Sequence, residues 1–232
     1  MDLILGCDWM EVPYDVVRRD VKYPRLVFRG LKLLVILPHF IKSPEEVVTM
    51  NRAWIERKWS QIQEAIKDLN TGDCFMIFGE KYHIENSNVE KPSILHEGKK
   101  IFLNRGNRKH KEQVIKALKK LLEIKLEEII TKYSFKTGLK PKKISIKHQK
   151  TLWGSCSSNG VINLNIKLVC LPENMIRYIT FHELIHLKRR KHDKIFWHTI
   201  SQEFPNYKEI EKELQIHWIR AEKLFQNLLS DS

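Results

Sequence analysis

The sequence predicts an α+β fold, and three patterns predict it. Short β-prone runs broken by Gly, Pro and Asn turns occupy much of the first hundred residues. Two long stretches carry apolar residues at helical spacing. An alternating run, "VINLNIKLV", leads directly into a second helix-like run, "LPENMIRYITFHELIHL". At 232 residues and 42% apolar, the chain can bury one large domain or two small ones. The patterns divide it into a β-rich N-terminal region with one long helix at 1–104 and an α+β region at 105–232.

The elements follow in order. Residues 11–41 read as short strands; Gly30 separates two of them and Pro38 ends the last. In "SPEE", Ser43 suits a helix N-cap, Pro44 the first helical position and Glu46 a capping box. The helix is expected to run from Glu45 to about Leu69, where "NTGD" stops it. "CFMIFGEKYHIE" and "SILHEGKKIFLN" read as hairpin strands. A long amphipathic helix then carries Val114, Leu118, Leu122, Leu126, Ile129 and Tyr133 on one side and ends at Gly138. "KKISIKHQ" reads as a strand and "TLWGSCSSNG" as a turn or loop. Val161–Leu168 alternates, and its place before the "FHELIH" helix suggests an exposed edge on which an extended peptide could add as a strand. Pro172 suits the first turn of that helix. "KIFWHTISQEF" and a helix starting near Tyr207 complete the chain.

Composition narrows the function classes. No apolar run is long enough to span a bilayer. "MDLILGCDWM" has no basic leader and is interrupted by Asp2 and Asp8, so a signal peptide is not expected and a reducing cytosol is the default location. Cys7, Cys74, Cys156 and Cys170 form no C-x-x-C pair and read as small buried apolar residues. Cys156, in a Gly/Ser-rich turn, is the one with a candidate ligand or reactive role. The net charge of +13 gathers at 99–111, 136–150 and 188–194. Such clusters suit a polyanion such as nucleic acid, bound without sequence preference and weakly in salt, or else are solvated faces.

The chemistry lies in "FHELIHLKRRKHDKIFW" (181–197). His182 and His186 are four residues apart, one above the other on a helix, so both imidazoles can reach one ion. Glu183 stands about 100° round the axis, close to that ion without aiming at it, where a general base belongs. A chain of this composition would contain H-E-x-x-H by chance roughly 4% of the time, and with a third His at position 192 only roughly 0.2%. Two histidines on a buried helix face are costly without partners, and a metal supplies them. His182, His186 and His192 are therefore the candidate metal ligands and Glu183 the candidate catalytic residue. Zn2+ suits three neutral imidazoles best, with Co2+, Mn2+ or Ni2+ as alternatives.

These residues also resemble a known family. Trp153-Gly154-Ser155-Cys156-Ser157, Ile162-Asn163-Leu164-Asn165, His182-Glu183-Leu184-Ile185-His186-Leu187 and His192 with Phe196-Trp197 closely resemble the signature of the YgjP-like metallopeptidases, minigluzincin-like zincins. The strong match covers about residues 145–205. The resemblance implies a compact zincin-like domain at 105–232, with a mixed sheet and an active-site helix carrying HExxH. It implies zinc on His182, His186 and His192, with Glu183 as the acid/base. The His186–His192 spacing also equals that of metzincins, but Arg189 stands where they have Gly and no Met-turn follows. The zinc ribbon of SprT-like proteases is absent too.

The expected activity is hydrolysis of peptide or protein substrates in the cytoplasm by a metal-activated water, with Glu183 taking and returning the proton. Tyr178 and His198 are candidates for a second oxyanion donor. The alternative is a zinc-stabilised, nucleic-acid-associated binding protein with little or no hydrolysis. Glu183 favours the enzyme, since a structural site needs no free carboxylate.

Overall fold

The computed structural model describes residues 3–4 and 12–230. Cys7 and the rest of the N-terminal run on which the leader expectation rests lie outside the described residues. The described residues up to Asn70, with Trp218–Lys223, cluster as one unit. Residues from Thr71 to His217, with those from Leu224 on, cluster as a second. The boundary expected at 104/105 falls inside this second unit.

In the first unit, β1 (Leu3–Ile4), β2 (Pro13–Arg18), β3 (Arg25–Arg29) and β4 (Lys32–Leu37) form a sheet in the order β1-β2-β4-β3. β3 and β4 make the expected hairpin; Gly30 turns it at φ 59°, a conformation that glycine adopts without steric cost. The helix starts as expected: Glu46 N donates to Ser43 Oγ at 3.4 Å and Pro44 occupies the first turn. It then breaks into α1 (Pro44–Met50) and α2 (Arg52–Ile66). Asn51 causes the break, because its side-chain amide donates to Val47 O at 2.8 Å while its backbone leaves helical geometry. Val12, Leu33, Val35, Leu37, Val48 and Ile55 form the core.

The second unit holds two sheets and the remaining helices, apart from Trp218–Lys223 of the last one. β5 (Cys74–Ile77), β6 (Glu80–Asn86), β7 (Ser93–Leu95) and β8 (Lys100–Leu103) order as β5-β6-β8-β7. Both expected hairpins are present, joined by parallel pairing of β6 with β8. α3 (Arg108–Thr137) packs on β7 and β8. Asn107 caps its start and Gly138, at φ 71°, its end. Beyond it lie β9 (Lys143–Lys147), β10 (Gly154–Cys156) and β11 (Val161–Asn165), then a 3-10 turn at Ile166–Cys170, α4 (Glu173–Ile185), α5 (Lys194–Glu203) and α6 (Tyr207–Leu229).

Two expectations change here. The Gly/Ser-rich "WGSCSSNG" contains a strand, β10, because pairing with β11 and a side-chain clamp impose extended backbone on residues of low β-propensity. The clamp is Asn165, fully buried, whose amide donates to Gln149 O at 2.9 Å and Leu152 O at 2.8 Å and so holds the loop that enters β10. Second, Val161–Leu168 is not an exposed edge. β11 sits between β10 (antiparallel) and β9 (parallel), and residues 166–168 belong to the 3-10 turn. Alternation reports two environments for the two faces of a strand; it does not report whether both edges are paired.

α4 is buried nearly all round: Met175, Ile176, Tyr178, Ile179, Thr180 and Phe181 are all in the interior. Such all-round burial marks a core helix. Each large apolar side chain contributes about 1.5–3 kcal/mol. β10 and β11 pack on it, as do α3 and α5. Lys125 of α3 meets Glu173 at its first turn at 3.1 Å. Groups on this helix therefore stand on a rigid support.

Candidate metal centre

The three histidines come together. His182 and His186 project from the end of α4, one turn apart. His192 reaches back from the segment between α4 and α5, with Nε2 at 3.0 Å from His182 Nε2 and 3.1 Å from His186 Nε2. Among the described residues these three form a group whose ligand atoms lie within 4.8 Å of one another; Cys156 is outside it.

Local chemistry sets the return of the chain. His186 Nδ1 is 2.9 Å from Arg189 O, and a carbonyl only accepts, so Nδ1 carries the proton and Nε2 presents a bare lone pair. Asp193 directly follows His192 and caps α5, its Oδ1 accepting from Phe196 N at 2.9 Å. That cap places Phe196, fully buried, against all three imidazoles at ring-centroid distances of 4.9, 4.8 and 4.7 Å. Trp197 lies 5.4 Å from the exposed His192 ring and stacks on Tyr207 at 5.1 Å. Arg190 donates to Ser158 O at 2.7 Å, tying the loop to the β10–β11 turn. None of these supporting roles is legible in ligand spacing; the N-capping Asp and the aromatic pair after His192 were the only sequence signals for them.

The residues fit a metal. Imidazole nitrogens about 2.0–2.1 Å from a tetrahedral ion stand about 3.3 Å apart, close to the separations found. A single N–H on His192 could answer one of its two Nε2 contacts, not both, whereas a shared cation answers all three nitrogens. Burial, and after it the charges of His186 and His192, push His182 down to about 3, so it resists protonation and keeps its lone pair. His186 is also lowered, chiefly by burial.

Glu183 is 7% exposed on the same helix. Its Oε2 has no hydrogen-bond partner among the described residues, and burial pushes its carboxyl up to about 7. A buried carboxyl with an unanswered oxygen is costly for stability. The Cys156 thiol is also raised, first by burial and then by the Glu183 charge, which disfavours the thiolate that a ligand or nucleophile needs.

The Tyr178 hydroxyl, a candidate oxyanion donor, is turned to another partner. The residue is 2% exposed, and its hydroxyl donates to Glu211 Oε1 at 3.0 Å. Tyr178→Phe is expected to lower Tm and leave kcat nearly unchanged. A kcat loss on the order of 10²–10³-fold, the usual cost of removing such a donor, would restore the catalytic assignment. His198 is exposed and faces Gln202 at 3.2 Å. Glu203 is engaged by Lys136 and, at 3.8 Å, by Arg177.

The sequence matches the family described as YgjP-like, metallopeptidase domain, over residues 22–217. Among solved structures, the metallopeptidase zymogen of Pyrococcus abyssi abylysin is 28% identical, over 38% of this chain and 90% of that one, with a TM-score of 0.36. No curated protein matches.

Proposed function

Because the chain belongs to the YgjP-like metallopeptidase family, we propose that it hydrolyses peptide bonds at a Zn2+ centre held by His182, His186 and His192, with Glu183 as general base and acid. The observation that carries this reading is the convergence of three Nε2 atoms on the helix end that also holds a buried carboxyl, whose Oε2 has no hydrogen-bond partner among the described residues. Three neutral imidazoles and an open position suit Zn2+. When bound, the ion supplies Lewis acidity towards water and towards a substrate carbonyl.

The chain's own residues do the rest. The Glu183 carboxylate accepts the proton of the attacking water and returns it to the leaving amine nitrogen. Its raised proton affinity suits both halves of that transfer near neutral pH, although a nearby cation draws it back down. The substrate is proposed to lie along β10, at the edge of its sheet. Trp153 O and Ser157 N are used towards β11, so alternation turns the N–H and C=O groups of Gly154 and Cys156 outward. An extended peptide can pair with them.

The rival reading, a zinc-stabilised protein on nucleic acid, leaves the buried Glu183 carboxyl without a role. No helix among the described residues is long and apolar enough to cross a membrane. The proposed working compartment is the reducing cytoplasm, in which Cys74, Cys156 and Cys170 would stay thiols. A chelator should abolish cleavage of a peptide library, and one equivalent of Zn2+ should restore it. Full cleavage by protein shown to be metal-free would contradict the reading.

A further inference from the structure

Gly154 opens β10, the edge strand packed on α4. Most glycines of the chain occupy turns at positive φ, where the backbone itself favours glycine; Gly154 does not. Its reason is space. A Cβ at this position would stand 2.7 Å from Glu183 Cγ, 2.9 Å from Oε1 and 3.0 Å from Cδ. Non-bonded carbons rest at about 3.5–4.0 Å, so a single methyl would force Glu183 aside by roughly 1 Å. The nearest atom is Cγ, in the middle of the side chain. Relief requires rotation about the Cα–Cβ bond of Glu183, which carries the carboxyl away with it.

We infer that Gly154 is a positioning residue for the general base: its missing side chain lets the edge strand close on α4 and sets the Glu183 carboxyl next to the backbone along which the substrate lies. The outward N–H and C=O of Gly154 and the Glu183 carboxyl then share one small region. Peptide and base are registered by the same residue. The inference rests on the reading of Glu183 as the base. It adds that the approach distance, not only the identity of the carboxylate, is built into the sequence.

Gly154→Ala tests it. Misplacement of a reacting group by about 1 Å costs on the order of 10²-fold in rate, so kcat should fall by about that factor with metal content unchanged. KM should move much less. In a Glu183→Gln background the same change should cost at most a few-fold more, because its route to catalysis has already been removed. A readout independent of activity is the melting temperature. Gly154→Ala should lower Tm, and Glu183→Ala, which deletes the Cγ that clashes, should largely cancel that loss in the double variant. If Gly154→Ala fails to fold, the double variant must fold.

A kcat within a few-fold of the unaltered protein, a loss that simply adds to that of Glu183→Gln, or a Tm loss untouched by Glu183→Ala would each overturn the inference. Failure of the underlying reading looks different. There, Glu183→Gln alone leaves turnover intact, while the Tm coupling between positions 154 and 183 is still present.

Discussion

His192→Ala lowers bound metal from near one per chain to well below one, while the fold survives. The expectation follows from where His192 sits. It is exposed, outside both α4 and α5, and contributes the nitrogen that contacts the other two imidazoles at 3.0 and 3.1 Å. Its removal takes nothing from the core, since Phe196, buried beneath the three rings, is held by the Asp193 cap. Loss of an outer partner of a ligand typically costs 10–100-fold in metal affinity, and loss of a ligand costs more. Among the described residues no fourth group joins the three histidines to replace it. Glu203 is held by Lys136 and Arg177, and His198 is turned to Gln202. Elemental analysis after dialysis checks the outcome, with circular dichroism to verify folding. Full occupancy in a folded variant would mean that another residue closes the site.

The candidate site was legible in the sequence to the extent that one helix carries it. The period of 3.6 residues places His182 and His186 on one face, and apolar neighbours at the same period imply a core helix. His192 was legible by its spacing, but its support was not. The carbonyl of Arg189 acts through space and nothing in local pattern reports it, while the ring of Phe196 shows in the sequence only as part of the aromatic pair after His192.

The sheet around the site was less legible for a related reason. Val161–Asn165 alternates because its two faces differ, yet pairing on its edges is decided by other segments of the chain, β10 on one side and β9 on the other. Gly154–Cys156 has little β-propensity of its own and becomes a strand because β11 and the buried Asn165 impose it. The break at Asn51 is a third case. Its flanks read as one continuous helix, and a single side-chain amide competing for Val47 O divides it. Caps were read well, at Ser43 and Gly138, because a cap is a local bargain between a side chain or a φ angle and the backbone next to it.

The central claim is that Glu183 moves the proton in peptide hydrolysis. Its burial, its unpartnered Oε2 and its raised proton affinity are all unfavourable for a purely structural residue and all useful to a base. Glu183→Gln keeps the size and the hydrogen-bonding reach of the side chain and removes its basicity. General acid–base groups contribute typically 10²–10⁴-fold, so the variant should lose activity by about that much. Because Gln is neutral, the cost of holding a charge in this buried position also disappears, and the fold should be no less stable than before. Metal content should stay near one per chain, since Glu183 is not among the converging ligands. The decisive measurement is therefore kcat on a cleaved peptide, for the unaltered protein and Glu183→Gln side by side, each with its metal quantified. A fall of about 10²-fold or more at equal metal content is what the account predicts; equal rates at equal metal content would contradict it.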